Sequence, residues 1–202
     1  MTIERITDGF AIVHAALHAD EVPPLLERHA EEFAETDLDP PKIEAFAREV
    51  VDNGFNGEGP KDLLLMVCEW GRGDRNFGRV EDLNDAEDVA RIMEASFSHA
   101  ERQDYANALK SMCEIKQIGR SFASKVLRFL LPGHAVIMDS VIRTRLGYPD
   151  SDSGYVEFRD ECQMLLDMIR KHHADNGEQC THRICDIEAA LYTKIREQRQ
   201  RP

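Results

Sequence analysis

The stretch "IKQIGRSFASKVLRFLLPGHAVIMDSVIRTRLGY", residues 115–148, decides how the fold is read. It carries six bases, Lys116, Arg120, Lys125, Arg128, Arg143 and Arg145, against one acid, Asp139. The chain around it has 202 residues and a formal net charge of −13, so the stretch is a basic island in an acidic protein. Residues 120–131 place Phe122, Ala123, Val126, Leu127 and Leu130 on one face at helical spacing, and Pro132-Gly133 ends that helix. Residues 139–147 predict a shorter helix that Asp139 can cap and Gly147 closes. The turn "EIKQIG" ahead of residue 120 ends in Gly119, so two helices meet there at a tight corner.

Working outward, helical periodicity dominates. Helices are expected over 10–19, 23–35, 41–55, 59–70, 83–99, 102–115, 153–173 and 183–199, besides the two in the opening stretch. Proline suits the starts at 23 and 41. The helix over 59–70 is apolar throughout and reads as central and buried. Asn84 or Asp85 caps the helix at 83–99. "GRGDRNFGR" (71–79) has three glycines in its first eight residues and reads as a loop. No sustained β-branched alternation occurs. The expectation is an all-α, two-lobed orthogonal helical bundle of about ten helices, forming one domain over 1–202, with the tight corner and the lone aspartate inside the segment 102–148.

Composition narrows the class. Hydrophobic residues make up 42%, enough for a packed interior. No apolar run approaches the roughly 20 residues of a membrane span. The start "MTIERITDGF" lacks the features of a signal peptide, so a soluble, cytoplasmic protein is expected. Five cysteines at irregular spacing argue against a disulfide framework. Cys180, His182 and Cys185, with Cys162, His172 and His173 upstream, lack paired C-x2-C spacing, and no metal is expected there. Residues 1–62 hold 15 acids and 5 bases, and residues 81–104 hold 8 acids and 2 bases. Such acidity opposes indiscriminate binding to a polyanion, while the island at 115–148 and the three arginines of 71–79 suggest a localised anion site. The plain alternative is a chance asymmetry on solvated faces.

A helix N-terminus offers backbone N–H donors and a positive dipole end to a phosphate. The corner at Gly119, with Arg120 just beyond it, is therefore a helix-hairpin-helix candidate that grips a nucleic-acid backbone without reading bases. On those residues, "IGRSFASKVL…HAVIMDSVIRTRLG" resembles the helix-hairpin-helix DNA glycosylases. There a G-V-G-R-[KS]-x-A hairpin precedes, by a fixed interval, an apolar run closed by an aspartate that opens the next helix. The resemblance implies that Asp139 is the catalytic carboxylate. It puts Ser121 where bifunctional glycosylase/lyases have lysine. Serine there, with His134 five residues before the aspartate, resembles the monofunctional adenine-mismatch branch. Together with "RICDIEAAL" (183–191) the pattern is most similar to bacterial proteins of 8-oxoguanine-glycosylase fold, some linked to defence against phage with modified DNA.

The chemistry agrees with that assignment. Cleaving an N-glycosidic bond builds oxocarbenium character on the sugar, and a nearby carboxylate can stabilise the cation and orient water. The alternative for Asp139 is a plain helix cap worth about 1 kcal/mol. The resemblance implies backbone contacts from Lys116, Gln117, Gly119, Arg120, Lys125 and Arg143, although Lys125 could instead be an amine nucleophile. A base inside a duplex must be flipped out, and the wedge would come from the loop after the central helix, with Arg72, Arg75, Asn76 and Phe77 as candidates. Trp70, Tyr148, Tyr155 and Phe158 could stack on the base, or simply be core. Asp186 or Glu188 could read its edge, with a first-turn carboxylate as the alternative for Asp186.

Three departures from the family pattern stand out. Gln117 replaces the first hairpin glycine, which puts the turn in question. The catalytic lysine is absent. The four-cysteine spacing of an iron–sulfur cluster is absent too, so no cluster is expected. No cofactor is expected, a monovalent cation at the hairpin being the one candidate. The expected function is a monofunctional DNA glycosylase acting on DNA with a modified base, an oxidised purine or a hypermodified cytosine, as a monomer. The competing classes are a non-catalytic DNA-binding module and an acidic helical protein-interaction domain.

Overall fold

In a computed structural model, the chain is described over residues 4–6, 9–12, 15–33, 39–71 and 77–200. Ten α-helices are found among the described residues: α1 (Val22–Phe33), α2 (Pro40–Asp52), α3 (Gly59–Trp70), α4 (Phe77–Leu83), α5 (Ala86–Glu101), α6 (Tyr105–Met112), α7 (Arg120–Leu130), α8 (Ser140–Leu146), α9 (Asp152–Asp175) and α10 (Ile184–Gln200). The helical architecture is as expected, but its membership differs at two places.

The helix expected over 10–19 does not form. Three short strands, β1 (Glu4–Ile6), β2 (Gly9–Ile12) and β3 (Ala15–Leu17), make an antiparallel meander in the order β1-β2-β3. Phe10 pairs with Leu17 and Ile12 with Ala15. An apolar run of this length does not distinguish a helix turn from a short buried strand, and strands of three or four residues need no sustained alternation. The second difference is α4, which takes the end of the expected loop at 71–79. Its single Gly78 is outweighed by Val80, 1% exposed and anchored in the core.

The chain divides into two compact units: Thr36–Asp139, and a second made of Met1–Glu35 with Ser140–Pro202. The first is built on α3, which packs against α2, α4, α5 and α7. Its interior includes Ile43, Leu63, Leu64, Met93, Leu109, Met112, Ile115 and Phe129. Caps fix the helix starts: Asp39 accepts from the Lys42 amide at 2.8 Å, Asp85 from Asp88 at 2.7 Å and Asp104 from Asn107 at 3.3 Å. Asp85 rather than Asn84 therefore caps α5.

In the second unit α10 packs on α1, α8, α9 and β3. Arg28 pairs with Glu197 at 2.5 Å and Lys194 with Glu21 at 2.6 Å, stitching α10 to the start and middle of the N-terminal segment. Ser151 caps α9 by accepting from the Gly154 amide at 3.0 Å. A Cβ on Gly154 would stand 2.3 Å from the Pro149 carbonyl oxygen, so only glycine lets the chain turn into α9 this tightly. No helix among the described residues is long and apolar enough to cross a membrane.

Candidate active site

The corner between α6 and α7 is a short, well-pinned turn. The Glu114 amide donates to Ser111 O at 2.9 Å and the Ile118 amide to Ile115 O at 3.1 Å. Ile115 and Ile118, 1% and 4% exposed, point into the core and anchor it. Gln117 is exposed and adopts φ +69°, the left-handed conformation that a glycine would supply. The replacement thus leaves the turn intact, at a local conformational cost. Gln117→Gly is expected to raise stability by about 1 kcal/mol, the left-handed cost of a non-glycine residue less the extra freedom glycine loses on folding. A higher denaturant midpoint at unchanged slope would report it.

A side chain from outside the turn holds it in place. Asn84, 6% exposed, accepts from the Lys116 amide at 2.9 Å and donates to the Lys116 carbonyl at 3.0 Å and to the Val80 carbonyl at 2.7 Å. Lys116 returns the contact, its Nζ donating to Leu83 O at 3.1 Å across the C-terminus of α4. Asn84→Ala should cost about 2–3 kcal/mol, because the buried Val80 carbonyl and the part-buried Lys116 amide and carbonyl lose this partner together. Chemical denaturation would read that loss.

Gly119 is the N-cap of α7, and its carbonyl accepts from the Phe122 and Ala123 amides at 3.0 and 2.9 Å. A Cβ on Gly119 would meet nothing within 4 Å, so a phosphate has room to approach the backbone of the α7 N-terminus. Arg120 is half-buried beside it. One residue further, Ser121 is half-buried and its Oγ accepts from Lys125 Nζ at 3.2 Å. An ammonium has no lone pair to offer, so this contact uses an acceptor site of Ser121 and leaves the hydroxyl hydrogen for another acceptor.

Lys125, expected at a phosphate or on the surface, is only 8% exposed. Its Nζ lies 4.9 Å from the Phe122 ring centroid. α3 closes over it at Gly71, where a Cβ would stand 2.8 Å from Phe122 Cε1 and 3.1 Å from Lys125 Cδ. Burial pushes the nearby Cys68 thiol up to about 11 against the opposing pull of the Lys125 charge, so Cys68 stays a thiol at neutral pH.

Asp139 is half-buried and directly precedes α8, in the N-cap position. The four residues before it, Ala135 to Met138, are all buried. The Met138 amide donates to Ser124 Oγ at 3.1 Å, and Ser124 Oγ donates to Ser121 O at 2.9 Å. A short hydrogen-bonded path therefore runs from the first turn of α7 to the backbone beside Asp139.

The remaining candidates divide into surface, core and capping positions. Arg143 is 3.5 Å from Asp150 in a partly exposed pair. Such a pair is worth about 0–1 kcal/mol. His134 is exposed. Trp70 is half-buried and packs edge-on against Phe129 with centroids 5.0 Å apart. Tyr155 and Phe158, expected as stacking candidates, have no exposed surface, and Tyr148 is 4% exposed with its hydroxyl donating to Glu161 at 2.6 Å. All three are core residues of their unit because they lie on or against the inward face of α9, and none presents a ring face to a base.

Asp186 accepts from the Arg183 amide at 2.8 Å and from the Arg183 guanidinium at 3.0 Å. Burial alone would raise its carboxyl, but the Arg183 hydrogen bonds and charge hold it below the ordinary value. This is the capping geometry of a third-position acid in α10, not a residue directed at a base. Glu188 is buried, 4% exposed. Arg72, Arg75 and Asn76 lie outside the described residues, and Phe77 opens α4. Among the described residues no group of three or more His, Cys, Asp or Glu gathers as a metal would require.

Asn84 and Ser124 are the two residues that sequence reasoning missed. Ser124 had a signal: it is a lone hydroxyl on a helix face otherwise made of Ala123, Val126 and Leu127. Asn84 was masked by its neighbour Asp85, since either suits a cap. A family model described as "Putative 8-oxoguanine DNA glycosylase OGG-like protein" matches residues 15–192. No curated protein and no solved structure matches the chain.

Proposed function

Because the chain belongs to the 8-oxoguanine DNA glycosylase OGG-like family, we propose that it is a monofunctional DNA glycosylase that extrudes a modified base and hydrolyses its N-glycosidic bond. One observation carries the reading: Asp139 stands at a helix start, tied through Ser124 to the turn that presents Gly119 and Ser121.

In this mechanism the amides at the start of α7, with Arg120, hold a backbone phosphate. The target nucleotide leaves the stack. The bond from C1′ to the base nitrogen breaks, the departing base takes a proton, and the Asp139 carboxylate stabilises the oxocarbenium ion left behind. A water oriented by Asp139 adds at C1′ and gives its proton to the Asp139 carboxylate, which passes it to solvent in balance with the solvent proton taken by the base, leaving an abasic site. Ser121, its acceptor site used by Lys125, offers its hydroxyl hydrogen to that water or to the sugar. With serine at this position and the Lys125 amine turned against Phe122, α7 offers no exposed amine for strand cleavage through a Schiff base.

The substrate is an oxidised purine or a hypermodified cytosine such as the glucosylated hydroxymethylcytosine of phage DNA. The test is base release from duplexes carrying 8-oxoguanine, an adenine mismatch or uracil, and from glucosylated phage DNA, scored with and without alkali. Breaks that appear only after alkali are the expected result and identify the base. Breaks without alkali would overturn the monofunctional assignment. Release from none of these substrates, with DNA binding intact, would replace the enzyme by a binding module.

A further inference from the structure

We propose that Ser124 is a positioning residue for Asp139, a role that rests on the reading of Asp139 as the catalytic carboxylate. Ser124 is 1% exposed, and its one donor and one of its two acceptor lone pairs go to backbone. Its hydroxyl hydrogen goes to the Ser121 carbonyl at 2.9 Å, and its lone pair takes the Met138 amide at 3.1 Å. The two backbone groups belong to different segments, the first turn of α7 and the irregular run 135–138, fourteen residues apart at the Met138 contact. Among the described residues the run pairs with no strand, and it leads straight into Asp139. Met138 is itself 3% exposed, so its amide is shielded from bulk water and depends on the serine as its acceptor.

The consequence is geometric. Ser121 is held twice, by Lys125 at its hydroxyl and by Ser124 at its carbonyl, and Asp139 is held one residue away through Met138. A single buried hydroxyl thus sets the spacing between the hairpin and the carboxylate. Small displacements of reacting groups are costly in rate, and a misplacement of about 1 Å can cost about a hundredfold.

The experiment compares Ser124→Ala, Ser124→Cys and Ser124→Thr with the natural protein under single-turnover conditions, on whichever substrate the natural protein cleaves. Cysteine keeps the volume while losing a strong acceptor, and threonine keeps the hydroxyl. Affinity is measured in parallel on a duplex with a tetrahydrofuran abasic analogue, and hydrogen exchange is followed at the Met138 amide. The expected result is a base-release rate at least tenfold lower in Ser124→Ala and Ser124→Cys. Analogue affinity should stay within about twofold, Met138 exchange should accelerate, and Ser124→Thr should recover most of the rate. Folded Ser124→Ala and Ser124→Cys proteins with unchanged rate overturn the proposal. A rate loss matched by an equal loss of analogue affinity also overturns it, since the serine would then merely support the fold. A natural protein inactive on all substrates instead refutes the glycosylase reading, an outcome distinct from either.

Discussion

Asp139→Asn should lower the rate of base release by about 10² to 10³-fold while leaving the protein as stable as before. The magnitude is that of removing one preorganised electrostatic contact from a developing charge. The stability expectation follows from position. Asp139 sits at the start of α8, where asparagine caps as well as aspartate. The substitution therefore removes the charge and keeps the cap, separating the two uses of the residue. Rate constants from alkali-developed abasic sites give the first quantity, and a denaturation midpoint gives the second. If Asp139 serves only the helix, neither quantity moves, and the catalytic assignment is lost. A fall in both would mean that the carboxylate holds the segment together by its charge.

Glu44→Ala is expected to destabilise the protein by about 3–5 kcal/mol, the cost of leaving a buried guanidinium without its counter-charge. Arg128 Nη1 lies 2.7 Å from Glu44 Oε1, with side-chain exposures of 8% and 13%. The contact is an ion pair rather than an aligned hydrogen bond, since Nη1 makes no bond of hydrogen-bond geometry. The guanidinium also stacks 4.5 Å over Phe129, which packs nearly perpendicular to Trp70. The pair joins α2 to α7, so its loss should loosen the helix that carries Ser121 and Ser124. Replacing both partners by apolar residues, Glu44→Leu with Arg128→Met, should restore most of the loss, because the desolvated charges go together. Chemical denaturation of the single and double variants checks it, and equal destabilisation in both would show that the pair contributes through packing alone.

Much of this was legible in the sequence because the signals were local. α7 announces itself through five apolar residues on one face and a Pro-Gly stop, and the structure ends it at Leu130. α3 was recognisable as central from its continuous apolar content, and Leu63, Leu64 and Val67 are fully buried. The residues misread are those whose roles come from distant partners. Phe10 and Ile12 fit a helix until Leu17 and Ala15 are known to pair with them. Tyr155 and Phe158 look the same in a sequence whether they face a ligand or a core. Lys125 carries a charge that predicts exposure, yet Phe122, Gly71 and Ser121 enclose it. Arg128 follows the same logic, since nothing near it in sequence signals Glu44. Gln117 is the reverse case. A motif departure suggested an altered turn, but glutamine can occupy the left-handed conformation at a modest cost, and the Asn84 clamp keeps it there.

The division of the chain also sets an order of events during synthesis. The unit carrying the hairpin and Asp139 is one uninterrupted segment, whereas its companion is assembled from both sides of that segment. Arg28 and Glu197 are 169 residues apart, and Glu21 and Lys194 are 173 apart. At a ribosomal pace of about 5–20 residues per second, α1 must wait roughly ten seconds or more for α10. During that interval the uninterrupted unit can collapse on its own contacts, while Val22 and Leu25 remain uncovered by their eventual neighbour. The nascent chain can thus form the corner between α6 and α7 before α10 is available to α1, and that exposed interval is when a chaperone would be of most use.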